Sequence, residues 1–109
     1  MIIARTYLNS LHEKQKEVLQ TLLSMVEPPP SGSGLISYAI YRDIEDRNVF
    51  NLISSWETRD HLNHHLNSER FGVLLGIKSL LSHPIEIEIL TIVAVEGMEA
   101  VNEARNKIT

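Results

Sequence analysis

Apolar residues recur along this chain with two periods, and the switches between them mark out strands and helices. Ile2 to Leu8 is a short run of β-branched and aromatic residues that stops at Asn9-Ser10; it is predicted as a strand whose closing amide or hydroxyl caps the next helix. From Leu11 the apolar positions Leu11, Val18, Leu19, Leu22, Leu23 and Val26, with Glu13, Lys14, Lys16 and Glu17 between them, make a helical stripe with a charged back. The stretch Glu27-Pro28-Pro29-Pro30-Ser31-Gly32-Ser33-Gly34 ends that helix, because proline offers no amide and disfavours helical geometry in the residue before it. Leu35 to Arg42 and Val49 to Glu57 are two β-rich runs expected to pair antiparallel about the polar connection from Asp43 to Asn48.

Thr58 stands where an N-cap belongs, ahead of a short helix carrying Leu62 and Leu66 one turn apart, and Ser68 interrupts and recaps it. A second helical stretch follows, with Phe71, Leu74, Leu75, Lys78 and Leu81 set among Gly72 and Gly76, until Ser82-His83-Pro84 terminates it. Ile85-Glu86-Ile87-Glu88-Ile89 alternates with period two and Leu90 to Val95 is almost wholly apolar, so the last strand is expected to start half exposed and to end buried. Beyond Gly97, Met98, Val101 and Ile108 support only a weak amphipathic helix.

The order strand, helix, strand, strand, helices, strand predicts an α+β fold of the ferredoxin-like, split β-α-β kind, a four-stranded antiparallel sheet with its helices on one face. The expected division is one domain over residues 1–95 and a tail over 96–109. Several strands are apolar on both faces, so the uncovered face is expected to be closed by the sheet of an identical subunit, making a homodimer.

Composition narrows the field. A chain of 109 residues with 43% apolar content fits one core. Its net charge of −4 argues against nucleic acid as a partner, since basic side chains supply most of that affinity. The absence of cysteine removes disulfides, thiolate metal sites and cysteine nucleophiles together. No apolar run approaches a bilayer span and the start lacks a leader pattern, so the expectation is a cytoplasmic protein with no membrane partner.

Three segments, Tyr38-Ala39-Ile40-Tyr41-Arg42-Asp43, Phe50-Asn51-Leu52-Ile53-Ser54-Ser55-Trp56-Glu57 and His65-Leu66-Asn67-Ser68-Glu69-Arg70-Phe71, together resemble the antibiotic biosynthesis monooxygenase (ABM) domain family of the dimeric α+β barrel superfamily. The likeness covers about residues 2 to 95. It implies a homodimer with a pocket in each subunit between sheet and helices, and a family that includes cofactor-independent oxygenases of polycyclic phenols and quinols, haem-degrading enzymes and an isomerase. Many members carry a glutamate two residues before the tryptophan; here that position is Ser54, which removes one acid–base candidate. The haem-degrading branch would place an asparagine, a tryptophan and an iron-ligating histidine near Thr6, His65 and Leu75, so that route is disfavoured.

The histidines of this region admit more than one reading. His61 and His65 have the i,i+4 spacing with which two imidazoles can share a metal, but no third ligand is evident, so no metal site is assigned. On the helical phase set by Leu62 and Leu66, His61 and His65 flank the buried stripe and His64 points to solvent. His65, which coincides with the family histidine, either lines the pocket or is a helix-edge residue. Trp56 is either an anchor of sheet to helix or a surface on which a ligand stacks. Tyr38 and Tyr41, three apart on a strand, face opposite sides, and Tyr38 shares its parity with Ile36 and Ile40. Arg5 is expected either to be paired across the dimer or to bind an anionic or phenolate oxygen. Glu86 and Glu88 belong to a solvated or dimer-rim face. The resulting expectation is an enzyme that oxidises a small aromatic or quinol-like molecule with oxygen and without cofactor, using His65 as a base of ordinary pKa and Trp56, Tyr38, Thr6, Phe71 and Leu75 as substrate contacts. The alternatives are a non-catalytic dimeric ligand-binding protein and an isomerase-like relative acting on a polar metabolite.

Overall fold

The computed structural model describes residues 1–26, 29 and 31–108; the predicted loop residues Glu27, Pro28 and Pro30 lie outside the described residues. The elements run β1 (Ile2–Asn9), α1 (Gln15–Met25), β2 (Leu35–Arg42), β3 (Val49–Trp56), α2 (Arg59–Leu66), α3 (Glu69–Leu75), β4 (Glu86–Thr91) and α4 (Met98–Ile108), with single 3₁₀ turns at His12–Lys14 and Lys78–Leu80. The four strands form one antiparallel sheet in the order β2-β3-β1-β4, the ferredoxin-like arrangement that the element order implies.

The alternation of β1 decides the two faces. Ile2, Ala4, Thr6 and Leu8 are buried toward the helices, whereas Ile3, Arg5, Tyr7 and Asn9 point to the opposite, uncovered face. In β3 the same rule puts Phe50, Leu52, Ser54 and Trp56 on the helix side and Asn51 and Ile53 on the open side. Leu8, Phe50 and Leu52 meet Val18, Leu22 and Met25 of α1 and Phe71 and Leu74 of α3 in the main core. A second cluster, Ile2, Ala4, Trp56 and Leu62, lies beside it, with Tyr38 and Leu66 packed against both.

Several boundaries differ from the sequence reading, each for a local reason. Asn9 and Ser10 do not cap α1: Ser10 bridges to Leu81 and gives its hydroxyl proton to the Leu11 carbonyl, so the chain enters α1 through a 3₁₀ turn. Met25, absent from the predicted stripe, is buried, while Leu23 is exposed. Thr58 and Ser68 do cap α2 and α3, accepting from the amides of His61 and Phe71. A bulge between Leu35 and Ser37 breaks the parity of β2, so Ile36 does not share the face of Tyr38 and Ile40. Tyr38 sits opposite Ser54 on the helix side and Tyr41 opposite Asn51 on the open side.

The largest departure is at the last strand, which does not end buried. β4 stops at Thr91 because its neighbour β1 begins at Ile2, and past that pairing the chain runs beyond the sheet. Val93 is 97% exposed and Val95 77% exposed, and α4 follows with Met98 and Val101 facing water. The Cα radius of gyration is 16.6 Å, whereas a compact chain of this length has about 13 Å. Among the described residues no helix is long and apolar enough to cross a membrane.

Candidate functional site

The site is built where β3 ends and α2 begins. Trp56 closes β3 on the helix side, only 2% exposed, and its indole N–H donates to Ser54 Oγ at 2.9 Å. Ser54, which removes a carboxylate from this position, thus satisfies a buried donor that would otherwise carry a desolvation cost. Thr58 starts α2 two residues later, and a helix begun there carries His61, His64 and His65 back over the strand end. The His65 ring stacks on Trp56 with centroids 4.7 Å apart and 29° between planes, and it meets Tyr38 and Phe71 edge-on at 5.8 and 5.5 Å. Tyr38 Oη lies 3.5 Å from His65 Nε2, a long, weak contact.

In front of this aromatic cage is an open cleft of about 320 Å³, walled by Trp56, His61, His64, His65, Ser68 and Arg70 and bordered by Pro29 and Ser31 to Ser33. His64 is exposed as expected from the helix phase, yet it stands on the rim of the same cleft. Tyr38 and Phe71 support His65 from behind and are not themselves among the lining residues. Thr6 is buried within the sheet between Leu52 and Ile87, and Leu75 borders a separate groove of about 530 Å³ with Lys78, Leu81, Ser82, His83, Pro84 and Ile85. The predicted constellation therefore divides: His65, Trp56, Tyr38 and Phe71 come together, and Thr6 and Leu75 stand apart.

Burial, helped by the Arg70 charge, holds the His65 imidazole down at about 4, and burial pushes the Tyr38 phenol up to about 12 against a smaller opposing pull from Arg70. Both rings are neutral at pH 7. This changes the part His65 can play, because a base of ordinary pKa near 6.5 was the expectation. It also gives the fold a pH dependence. The unfolded chain takes up a proton on His65 below about 6.5 and the folded chain resists doing so until about 4, so stability should fall across that window and level off below it. Because the ring is partly solvated, the loss is about 1–2 kcal/mol and not the full value of the shift. Urea titrations from pH 7 to 4 on the parent and on His65→Phe should show this slope in the parent and a shallower one in the variant.

Two site residues were missed in the sequence. Arg70 lies in the first turn of α3, where the helix dipole disfavours a cation, and that mismatch was the available signal. The sequence reading places His61 beside the buried stripe and weighs it as a metal ligand, not as a wall of the cleft. Among the described residues no three His, Cys, Asp or Glu side chains converge as a metal-binding group.

Residues 1–74 match the family described as Antibiotic biosynthesis monooxygenase, which is more than half of the chain. The chain belongs to that family. An uncharacterised protein of Synechocystis sp. is 31% identical to this ABM chain over 81 residues, which is 73% of this chain and 55% of the relative; the chain thus spans little more than half the length of that relative. In three dimensions the ABM fold is shared with a protein of Deinococcus radiodurans proposed as an antibiotic biosynthesis monooxygenase, at a TM-score of 0.80 and 16% identity, covering 89% of this chain and 97% of that one. A structure from Mycobacterium tuberculosis aligns at a TM-score of 0.78 and 16% identity, covering 88% and 98%. At these identities the likeness to the solved structures is one of fold. Both solved structures are almost wholly covered, while about a tenth of this chain lies outside each alignment.

Proposed function

We propose that this ABM domain is a homodimeric, cofactor-independent oxygenase of a planar phenol or quinol, which it binds in the cleft beside His65. The observation that carries the reading is the stack of His65 on Trp56 at 4.7 Å, which gives the cleft a flat aromatic wall of the kind that receives a planar ring. In the reaction a ring C–H and a phenolic O–H are lost, one atom of O₂ becomes a new ring carbonyl and the other leaves as water with those two hydrogens. The substrate supplies all the electrons.

His65 is not the base for this step. Moving a proton from a phenol near 10 to an imidazole near 4 is uphill by about six units, on the order of 8 kcal/mol. Its neutral ring instead accepts a hydrogen bond and fixes the plane of the substrate, a positioning role of the kind whose loss costs about 10²-fold. Oxygen uptake with a panel of polycyclic phenols and quinols should find a turned-over substrate. On it, His65→Ala should lower kcat/KM by about 10²-fold, while His64→Ala, on the exposed rim, should stay within about twofold. Equal effects of the two changes would remove His65 from the site. Saturable binding with no oxygen uptake would instead favour a ligand-binding protein without turnover, a second reading supported by Ser54 serving the Trp56 indole in place of a carboxylate.

The dimer is part of the proposal. The open face of the sheet carries Ile3, Ile53, Ala39, Tyr41 and Leu90, with Arg5 paired to Glu88 of the same chain at 2.8 Å and its Nε shielded and without an acceptor among the described residues. Arg5 was expected to pair across the dimer; its carboxylate partner is instead on the neighbouring strand of the same chain. Among the described residues no helix is packed on this face, and a second copy covers it most economically, with the exposed run at Val93 to Val95 as further apolar surface to bury.

A further inference from the structure

The cleft has an electrostatic character that an uncharged aromatic ligand would not need. In a chain of net charge −4, its described lining offers Arg70, three imidazoles and the hydroxyls of Ser31, Ser33 and Ser68, with no carboxylate among them. The Arg70 charge reaches the bottom of the site, where it acts on both Tyr38 and His65. One of the imidazoles has a partner on its inner ring nitrogen. Thr58 Oγ1 accepts the backbone N–H of His61 at 3.2 Å and lies 2.7 Å from His61 Nδ1, where its own hydroxyl proton has an acceptor within reach. With the hydroxyl as donor, Nδ1 is the acceptor and Nε2 carries the ring N–H.

The ring is also held in place. It lies against Gly34, whose φ of +74° already favours glycine and where an added Cβ would collide with the imidazole. His61 and Arg70 both line the cleft, and in the arrangement with Thr58 as donor the His61 ring has an N–H to offer a ligand. Neutral quinones and hydrocarbons make little use of such a pair, whereas an anionic oxygen uses both groups through charge-assisted hydrogen bonds.

We infer, resting on the aromatic-ligand reading above, that the cleft takes its planar ligand as an anion, with the anionic oxygen seated on His61 Nε2–H and the Arg70 guanidinium. A phenolate and an aromatic carboxylate share this chemistry. For a phenol the consequence is that binding itself favours ionisation: the O–H proton passes to solvent, the O⁻ stays on the two donors, and the electron-rich ring reacts with oxygen without a protein base. His61 and Arg70, and not His65, then set which ligands are accepted.

The test measures binding at pH 7 by quenching of the single tryptophan and by calorimetry, using 2-naphthoate, its uncharged isostere 2-naphthamide, and 2-naphthol. The parent should bind 2-naphthoate about tenfold or more tightly than 2-naphthamide. His61→Phe, which keeps a ring over Gly34 but has no N–H, and Arg70→Gln should each erase most of that preference while leaving 2-naphthamide within about twofold, with melting curves confirming the fold. Bound 2-naphthol should show its phenolate absorption at a pH at least about one unit below that of the free compound, and the shift should shrink in Arg70→Gln. Preference for the carboxylate with 2-naphthol bound un-ionised would assign the anion site to carboxylates. Equal binding of the naphthoate and naphthamide overturns the inference and leaves the aromatic cleft intact. Failure of all three compounds to bind overturns both.

Discussion

Replacing Trp56 by alanine is expected to cost about 3–5 kcal/mol, the range for deleting a large buried aromatic. The side chain is 2% exposed, closes the second core cluster with Ile2, Ala4 and Leu62, stacks on His65 and satisfies its own N–H on Ser54. Its removal leaves a void under α2 and strands the Ser54 hydroxyl. A domain of this size has a total stability of about 5–15 kcal/mol, so the variant should be marginal at 37 °C. Trp56→Phe separates the contributions: it keeps most of the ring contact and loses the hydrogen bond, and should cost about 1–2 kcal/mol. Urea denaturation of the three proteins measures both. A loss under about 1 kcal/mol for Trp56→Ala would mean that the strand end is not anchored as described.

The second large effect is expected at Ile53→Asp. Ile53 lies on the open face of β3, opposite Arg5 on one side and Ala39 on the other. In a monomer this change should be harmless, since the new carboxylate would stand across from a guanidinium on a solvated face. In the proposed dimer it would sit between two sheets, and an aspartate there should abolish the species of about 25 kDa, twice the chain mass of 12.4 kDa. Cooperative unfolding should vanish with it, because obligate dimers often have no stable folded monomer. Ile44→Asp, in the hairpin turn where the side chain is 98% exposed, is the matched control and should change neither mass nor melting. Light scattering and thermal melts at micromolar concentration decide the matter, and a folded, monomeric parent protein would refute the dimer.

What the sequence made legible follows from which signals are local. The β-rich runs Ile2 to Leu8 and Val49 to Glu57, and the caps Thr58 and Ser68, rest on a few neighbouring residues; both strands form, each within one residue of its expected end, and both caps hold. The stack of His65 on Trp56 was half legible: helix phase set His65 beside the buried stripe and Trp56 was read as an anchor of sheet to helix or a stacking surface, but their meeting needed the tertiary fold. Features that depend on a distant partner were not legible. Where β4 stops is decided by where β1 begins, which no pattern in residues 85–95 encodes. The bulge that turns Ile36 away from Tyr38 is decided by pairing across β3. The ordinary pKa expected for His65 failed for the same reason, since its burial comes from Tyr38, Trp56 and Phe71 on three other elements.

The position of β1 has a consequence for how the protein is made. This first strand is central, yet both its partners are encoded later, and the ion pair between Arg5 and Glu88 spans 83 residues. On the ribosome, β2 and β3 can close as a local hairpin early, while β1 must wait with one edge unsatisfied until Thr91 has left the exit tunnel. Contacts of such long range slow folding, because the loop must close before the pairing returns any free energy. A nascent chain stalled anywhere before Thr91 therefore presents the β4-pairing edge of β1 without its partner, and the arrival of β4 is the event that commits the domain to its native topology.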